Sequence, residues 1–346
     1  MIGNIIYRES LKRVSTQVPI YDGTVLVTGA TGLIGSCIID LLMIANEQGR
    51  HFDIFALGRN ETKLRNRFNA YRGSNLLHFI IQDIRQPLNY NIQYDYIIHG
   101  ASNADPRNYA TYPAETMLIN IEGAKNVLEY CRIHKETKVL LMSTFEVYGN
   151  AGIDIYKEIN CGFIDINQIR SCYPESKRCM EIMTRCYIDE YSVKAIICRF
   201  GSIYGPTMSE NDSKAHAQFI RNGLNGENIV LKSKGEQKRT YCYVIDAVTG
   251  LLTVLGKGCI GDVYNVAYEN AVVSIAEVAH TVAKLTGTKV IMAVPNDLER
   301  KGYSTPQNCI LDNSKLKSLG WVGYYDIDKG IEECLSILRN NNQINR

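Results

Sequence analysis

The chain has 346 residues, enough for one large domain or two fused ones, and its 45% hydrophobic residues suit a globular protein with a packed core. Its 38 basic and 36 acidic residues give a net charge of +2 and form no basic stripe, so nucleic acid is not an expected partner. The eleven cysteines form no CxxC motif and follow no export signal, which predicts a reducing, cytoplasmic location. The histidines are scattered, so no metal site is expected. The apolar runs are too interrupted to cross a membrane, so no membrane partner is expected.

Residues 1–22 precede the first predicted strand and are expected to form an appended helix or arm. From residue 23 onward, apolar β runs alternate with segments of helical periodicity, as in TVLVTG, LIGSCIIDLLMIANEQG and FDIFALG. The apolar residues of these strands do not alternate with polar ones, which is typical of a parallel sheet covered by helices on both faces. The pattern predicts a doubly wound α/β domain of the Rossmann type over residues 23–202, with a return segment near residues 243–256.

A glycine-rich turn follows the first predicted strand and opens the first helix of this domain. In VTGATGLIGS the glycines allow a tight turn, a close approach of the backbone to a pyrophosphate, and a phosphate at the helix N-terminus. The strand before it and the helix after it favour a dinucleotide site over a turn without a ligand. The residues expected to bind the cofactor there are Gly29, Thr31, Gly32, Leu33, Ile34 and Gly35.

The end of the second strand, ALGRNETKL, bears on the choice of cofactor. An acidic residue at this point would accept a hydrogen bond from the ribose 2′-hydroxyl of NAD, whereas Arg59 suits the 2′-phosphate of NADP. The alternative is that Arg59 is a solvent-facing cation at the start of a loop. Because no carboxylate competes for the position, the sequence favours NADP over NAD.

The stretch LLMSTFEVYGN ends an apolar strand and places two polar side chains beyond it. Thr144 stands at the carboxyl end of a predicted parallel strand, where the active sites of open α/β sheets lie. Glu146 is expected on the same side as Thr144 if the strand geometry continues. A carboxylate between Phe145 and Val147 is costly to bury unless it is solvated, paired or used in chemistry.

In CYPESK, Tyr173 and Lys177 are four residues apart and therefore lie on one face of a predicted helix. A phenol is a poor base at neutral pH, but an adjacent ammonium group and a cationic nicotinamide both favour its phenolate. A second pair with this spacing, Tyr325 and Lys329, is far from the glycine-rich unit, and we interpret it as chance.

After residue 203 the predicted segments become shorter and the loops more frequent, as in NGLNGEN, KSKGEQKR and GKGCIGD. The segment around VIDAVTGLLTVL is the expected return to the first domain. We interpret residues 203–346 as mainly a smaller, mixed α/β substrate-binding domain.

The spacing GxxGxxG resembles that of the short-chain dehydrogenase/reductase superfamily. The motifs TFEVYG, YPESK, RFGSIYGP, GEQKRTYCYVIDA and LDNSKLKSLGW resemble its extended branch, the NAD(P)-dependent nucleotide-sugar epimerases and dehydratases. This branch includes UDP-glucose 4-epimerase, 4,6-dehydratases and UDP-glucuronate decarboxylase, and the resemblance covers nearly the whole chain from residue 24. It implies a nucleotide-diphosphate sugar as the substrate and a homodimer formed by the helices at 113–134 and 172–192.

The resemblance also implies roles for single residues. It makes Thr144, Glu146, Tyr173 and Lys177 catalytic, and places Tyr173 and Lys177 against the cofactor as well. It adds cofactor contacts at Asp83, Ile84 and Ala101, and substrate contacts at Ser102, Thr144, Ser202, Gln218, Lys232 and Arg239, with Arg239 facing the diphosphate. Four positions depart from residues common in the family: Ser202, Gln218, Lys232 and Asn308. These departures leave the nucleotide and the sugar open.

The chemistry implied by the resemblance runs through a 4-keto hexose. Tyr173 takes the proton of the 4-hydroxyl group, Thr144 orients that group, and the hydride passes to the nicotinamide. Dehydratases use the residue equivalent to Glu146 to remove the C5 proton, and such a general base contributes on the order of a hundredfold or more. Phe145 stands where relatives carry Asp or Ser, and it cannot donate a proton. We expect a dehydratase or decarboxylase in cell-surface polysaccharide precursor synthesis. The alternatives are a 4-epimerase and, from another class, a non-catalytic NAD(P)-binding sensor.

Overall fold

A computed structural model describes residues 1–88, 91–303 and 307–344 of the chain. The strands are β1 (Gly23–Thr28), β2 (Phe52–Gly58), β3 (Leu77–Ile81), β4 (Tyr96–His99), β5 (Lys138–Thr144), β6 (Ile155–Tyr156), β7 (Lys194–Phe200), β8 (Ser202–Tyr204), β9 (Ile229–Leu231), β10 (Lys238–Tyr243), β11 (Val263–Val266), β12 (Val272–Ser274), β13 (Val290–Met292) and β14 (Ile310–Leu311). The helices are α1 (Ile5–Ser15), α2 (Leu33–Glu47), α3 (Glu61–Arg67), α4 (Pro106–Thr111), α5 (Pro113–Ile133), α6 (Cys172–Tyr191), α7 (Ala215–Leu224), α8 (Val244–Lys257), α9 (Ile275–Thr286), α10 (Asp297–Gly302), α11 (Ser314–Lys317) and α12 (Ile327–Ile344).

Seven parallel strands form the central sheet, in the order β11-β7-β5-β4-β1-β2-β3. Val25, Leu26 and Val27 of β1 are fully buried, as expected for a strand covered on both faces. The chain runs from β1 to β2 and β3 on one side and then returns to β4 on the other, so a crevice opens at the carboxyl ends where the strand order reverses. The predicted doubly wound α/β fold is confirmed.

The second half of the chain contributes to the central sheet and to smaller sheets beside it. β11 is an edge strand of the central sheet, and α8 packs on α2 and β7. Beside it, β8, β10 and β12 form a three-stranded sheet, while β9 pairs with β13 and β6 pairs with β14. The predicted division into residues 23–202 and 203–346 stays a proposal.

A buried polar cluster ties α1 to the central domain, where α1 packs on α2 and α12. The fully buried carboxylate of Asp40, on α2, accepts hydrogen bonds from the hydroxyl groups of Tyr7 (3.0 Å) and Tyr71 (2.9 Å). It also forms an ion pair with Arg67 at the end of α3. One carboxylate therefore joins α1, α2 and the segment that follows α3.

Two further features concern the described residues as a set. No helix among residues 1–88, 91–303 and 307–344 is long and apolar enough to span a membrane. All eleven cysteines are free thiols, and buried ones such as Cys131 and Cys198 pack as small hydrophobic side chains.

We expect Asp40→Asn to lower the free energy of unfolding by about 3 kcal/mol, because it leaves the buried guanidinium group of Arg67 without its carboxylate. Urea denaturation followed by circular dichroism measures the change. Glu61→Gln is the matched control, since the ion pair between Glu61 and Arg65 (2.6 Å) is exposed and its loss costs less than about 1 kcal/mol. Equal losses in the two variants would contradict the role assigned to Asp40.

Candidate active site

The glycine-rich turn after β1 leaves no room for side chains at two positions. Gly29 has a φ of +69°, and a Cβ atom there would lie 2.7 Å from the carbonyl carbon of Gly100. A Cβ atom on Gly35 would lie 2.5 Å from the carbonyl oxygen of Gly29. The turn leads into the N-terminus of α2, whose first N–H groups have no partners within the helix. This cradle fits the pyrophosphate of a dinucleotide.

A cleft of about 1260 Å³ runs along the carboxyl ends of the central strands. Every residue predicted for catalysis, cofactor binding or substrate binding lines it. These residues are Gly29, Thr31, Gly32, Leu33, Ile34, Gly35, Arg59, Asp83, Ile84, Ala101, Ser102, Thr144, Glu146, Tyr173, Lys177, Ser202, Gln218, Lys232 and Arg239. The volume exceeds the roughly 300 to 1,000 Å³ of ordinary small-molecule pockets, as expected for a site that holds a dinucleotide and a second ligand.

Arg59, just beyond the end of β2, lies between two carboxylates. Its Nη1 atom is 3.0 Å from Oε1 of Glu115 and 3.7 Å from Oδ2 of Asp83. Asp83 is also held by Arg85 at 2.8 Å, and this hydrogen bond lowers the pKa of Asp83. No pattern in the sequence pointed to Glu115. The charge of Arg59 is therefore partly balanced within the protein.

His99 ends β4 behind the glycine-rich turn. Its Nδ1 atom is 2.9 Å from Oγ1 of Thr28, which also accepts hydrogen bonds from the N–H groups of Gly100 and Ala101. Burial lowers the pKa of His99 to about 3, so the ring is neutral. Within the described part of the chain, no group of three or more His, Cys, Asp or Glu side chains is arranged to hold a metal ion.

The end of β5 holds the predicted catalytic residues of α6. Lys177 is buried, and its Nζ atom donates a 2.8 Å hydrogen bond to the carbonyl oxygen of Met142. The side chain of Thr144 lies beside Tyr173 and partly opposes the rise that burial causes in the pKa of that phenol. Burial lowers the pKa of Lys177 to about 8, whereas burial and the charge of Glu146 raise the pKa of Tyr173. Tyr173 therefore needs a cation beside it to act as a base near neutral pH.

Glu146 is paired with an arginine that the sequence analysis did not single out. β5 ends at Thr144 and a 3₁₀ turn begins at Phe145, so the strand alternation expected for Glu146 does not continue. Both carboxylate oxygens of Glu146 are bound by Arg170, with distances of 2.8 Å from Nη2 to Oε1 and 2.5 Å from Nη1 to Oε2. Each side chain is only 14% exposed. The contact is a largely buried, bidentate ion pair.

Tyr109 connects this ion pair to Tyr173. The guanidinium carbon of Arg170 lies 4.9 Å from the centre of the Tyr109 ring, and that ring stacks on Tyr173 with centroids 4.7 Å apart. Arg170 stands three residues before Tyr173, a spacing that could have singled it out. Tyr109 comes from α4, and no sequence pattern links it to the site.

The opposite wall of the cleft carries residues predicted to bind the substrate. The guanidinium carbon of Arg239 lies 5.2 Å from the centre of the Phe145 ring. Lys232 forms an ion pair with Glu299 of α10, which the sequence analysis missed. Gln218 donates a hydrogen bond to the backbone of the loop before α7. Two basic side chains thus line the cleft that contains Tyr173.

The second YxxxK pair lies outside the cleft. The hydroxyl group of Tyr325 is 3.0 Å and 2.9 Å from the two carboxylate oxygens of Glu333, and it also contacts Arg13 of α1. Lys329 pairs with Asp326 at 3.1 Å. These contacts hold α12 and α1 together.

The fold and this cleft define a dinucleotide-binding enzyme of the extended short-chain dehydrogenase/reductase class. The model of the NAD dependent epimerase/dehydratase family matches residues 25–267. The chain belongs to this family, which confirms the predicted membership.

Several known proteins are similar to this chain. UDP-glucuronic acid decarboxylase 1 of Xenopus tropicalis is 29% identical over 91% of this chain and 72% of its own length. UDP-glucuronic acid decarboxylase 3 of Arabidopsis thaliana is 30% identical over 89% of this chain and 86% of its own length. Among solved structures, dTDP-glucose 4,6-dehydratase from Streptomyces venezuelae has a TM-score of 0.78 at 21% identity, covering 93% of this chain and 98% of that one. UDP-glucose 4-epimerase from Thermotoga maritima has a TM-score of 0.77 at 22% identity, covering 92% and 99%. The two structures support the fold.

We expect Tyr173→Phe to lower turnover of a nucleotide sugar by at least about a hundredfold, because the variant has no phenol to take the hydroxyl proton. Cofactor affinity, measured by fluorescence titration, is expected to stay near that of the wild type. Tyr325→Phe is the matched control, since it removes a buried tyrosine hydroxyl group outside the cleft, and its turnover is expected to equal that of the wild type. Comparable losses of turnover in both variants would show that Tyr173 is the wrong base.

Proposed function

We propose that this protein decarboxylates a nucleoside diphosphate hexuronic acid through a 4-keto intermediate, with NAD(P) reduced and reoxidised in each turnover. The family and the relatives support the broader class of nucleotide-sugar-modifying enzymes. The finer assignment rests on one observation: the ion pair of Glu146 and Arg170 beside Tyr173, next to the apolar side chain of Phe145.

The proposed reaction starts with oxidation at C4 of the sugar, for which bound NAD(P)⁺ supplies the hydride acceptor. Tyr173 takes the proton of the C4 hydroxyl group, and Thr144, which lies beside Tyr173, orients that group. The ammonium group of Lys177 stands four residues along the same face of α6 and favours the phenolate that burial disfavours.

The ketone at C4 then weakens the bond between C5 and its carboxylate. The electron pair of that bond moves into the ketone, which leaves an enolate and releases carbon dioxide. The enolate takes a proton at C5. The hydride returns to C4 while Tyr173 returns its proton to the oxygen. Each turnover consumes one proton, and the cofactor ends in the form in which it began.

The charges at this end of the cleft do not oppose an acidic sugar. A hexuronic acid brings a carboxylate on C5, and an unpaired Glu146 would repel it. Arg170 balances the charge of Glu146 through two close contacts. Because both oxygens of Glu146 already accept hydrogen bonds, this carboxylate is also less free to remove a C5 proton, the step that a dehydratase requires.

The side chain of Phe145 supports the same choice. A dehydratase must protonate the C6 hydroxyl group as it leaves, and Phe145 has no proton to donate, whereas decarboxylation has no such leaving group. The relatives named above are UDP-glucuronic acid decarboxylases, which supports the proposal independently. Dehydration and 4-epimerisation are the alternatives. A non-catalytic sensor would not need the complete set of Thr144, Tyr173 and Lys177.

The diphosphate of the substrate is assigned to Arg239, because its planar guanidinium group matches phosphate oxygens. Lys232, Gln218, Ser202 and Ser102 are assigned to the rest of the substrate. The nucleobase stays open, since several of these residues depart from the family pattern.

NADP is the proposed form of the cofactor, and NAD is the alternative. The proposal rests on Arg59 at the end of β2, where a 2′-phosphate would meet its guanidinium group. Glu115 and Asp83 already balance part of that charge, which favours NAD. The family is described as NAD dependent, and the Streptomyces venezuelae structure holds NAD.

The assembly and the setting are proposals as well. Leu118 on α5 and Ile182 on α6 are large apolar side chains that are 44% and 58% exposed, which supports a homodimer through these two helices. A cytoplasmic location and a role in making precursors of cell-surface polysaccharides stay predictions.

Mass spectrometry after incubation with a panel of nucleotide sugars tests the reaction. We expect a nucleotide hexuronic acid to lose carbon dioxide and, in deuterium oxide, to gain one deuterium at C5. Loss of water from a neutral hexose would establish a dehydratase instead. Unchanged mass with altered chromatography would establish an epimerase. Either result would overturn the proposed decarboxylation.

Glu146→Gln tests the assignment of this carboxylate to C5. We expect the variant to reduce the cofactor transiently but to form product more slowly, because oxidation at C4 does not need Glu146, whereas an unpaired Arg170 would hold the C5 carboxylate and oppose its loss. Stopped-flow absorbance of the nicotinamide separates the two steps. Glu175→Gln is the control, since Glu175 pairs with Arg178 (3.3 Å) on α6 and does not line the cleft. Product formation at the wild-type rate by Glu146→Gln would leave Glu146 a structural role.

Arg59→Ala tests the cofactor preference. We expect it to weaken NADP binding far more than NAD binding, since a 2′-phosphate would lose its cation. Titration of both cofactors into the wild type and the variant measures this. Equal losses for the two cofactors would contradict the preference for NADP.

A further inference from the structure

A second buried ion pair lies behind the catalytic residues. The carboxylate of Glu181, on α6, accepts hydrogen bonds from Nε (3.0 Å) and Nη2 (2.6 Å) of Arg199, on β7. The hydroxyl group of Ser143 donates to the same carboxylate at 2.5 Å. The two charged side chains are 8% and 11% exposed, and neither is among the described residues that line the cleft. A direct contact with the substrate is therefore not their role.

The carboxylate of this ion pair shares a helix face with Lys177. Tyr173, Lys177 and Glu181 are spaced four residues apart, so they share one face of α6. That face lies on the end of β5, where the carbonyl group of Met142 holds Lys177 and the side chain of the next residue, Ser143, holds Glu181. Any change in the position of Glu181 would act on the strand that carries the partner of Lys177.

We propose that Glu181, held in place by Arg199, is a positioning residue that keeps Lys177 in its ammonium form in the closed, buried site. The inference rests on the proposed function in one respect, the use of that ammonium group beside Tyr173 and the cofactor.

The charges around Lys177 support this role. Burial lowers the pKa of Lys177 to about 8, and the carboxylate of Glu181 opposes that effect. The other groups that face Lys177 supply no negative charge: His99 on β4 is neutral, since burial lowers its pKa to about 3, and burial raises the pKa of Tyr173. Without Glu181, the pKa of Lys177 would fall further.

A purely structural ion pair would behave differently. Its loss would lower the free energy of unfolding and reduce activity equally at every pH. Loss of a group that keeps Lys177 charged would instead move the alkaline limb of the pH profile to lower pH. The pH dependence therefore separates the two roles.

The test compares Glu181→Gln with the wild type in two measurements from pH 6 to 9. The first is the rate of transient nicotinamide reduction with the substrate in excess, and the second is cofactor affinity without any sugar. We expect the alkaline limb of the variant to move to lower pH, so that its rate at pH 8 relative to pH 6.5 falls on the order of tenfold below the wild-type ratio. Glu129→Gln is the matched control, since it removes a carboxylate held by Arg132 (2.8 Å) and Tyr187 at the contact of α5 and α6, and its profile is expected to match the wild type.

A second variant keeps the test decisive if Glu181→Gln does not fold. Glu181→Gln with Arg199→Gln removes both charges and leaves no unpaired guanidinium group, and its alkaline limb is expected at lower pH than that of the wild type. A wild-type profile in the folded variants, with only their stability lowered, would overturn the inference. Because the affinity measurement needs no sugar, a failure to decarboxylate would count against the proposed function and would leave this test intact.

Discussion

Three consecutive residues at the end of β5 fix the catalytic face of α6, and the rest of the site depends on this contact. The carbonyl group of Met142 holds Lys177, the hydroxyl group of Ser143 holds Glu181, and the side chain of Thr144 lies beside Tyr173. β5 itself lies inside the sheet: residues 138–141 pair with β4, and the whole strand, including these three residues, pairs with β7. A buried parallel strand thus sets the rotation and height of the helix that carries the chemistry.

Patterns within single elements were sufficient to predict much of the fold and the site. The apolar strands predicted the parallel sheet, and the spacing of Tyr173 and Lys177 placed them on one helical face. The glycine-rich turn was predictable because close packing at Gly29 excludes a side chain. In each case the physical cause acts between residues a few positions apart or along one strand.

Contacts between distant elements could not be predicted in this way. Glu299 of α10 pairs with Lys232 beside β9, and Tyr109 of α4 stacks on Tyr173. Both contacts join residues far apart in the chain, so no spacing in the sequence predicts them. No pattern in the sequence gave Glu146 a partner, but in the structure Arg170 binds both of its carboxylate oxygens. Glu181 likewise could not be singled out, since its partner Arg199 comes from β7.

The two ion pairs near the active site, Glu146–Arg170 and Glu181–Arg199, resemble each other but have different effects on the reaction. A buried ion pair contributes little net stability, because the cost of removing both charges from water offsets their attraction. Each pair matters here through local charge. Glu181 adds negative potential near the buried Lys177. Arg170 balances the negative charge of Glu146 where an acidic sugar would enter. Phe145 lines the cleft, with its ring beneath Arg239. In the proposed decarboxylation the charge of a compact carboxylate spreads into an enolate as carbon dioxide leaves, and an apolar wall disfavours the compact charge more than the spread one. The same wall gives no proton to a leaving hydroxyl group, so one side chain favours the loss of carbon dioxide over the loss of water.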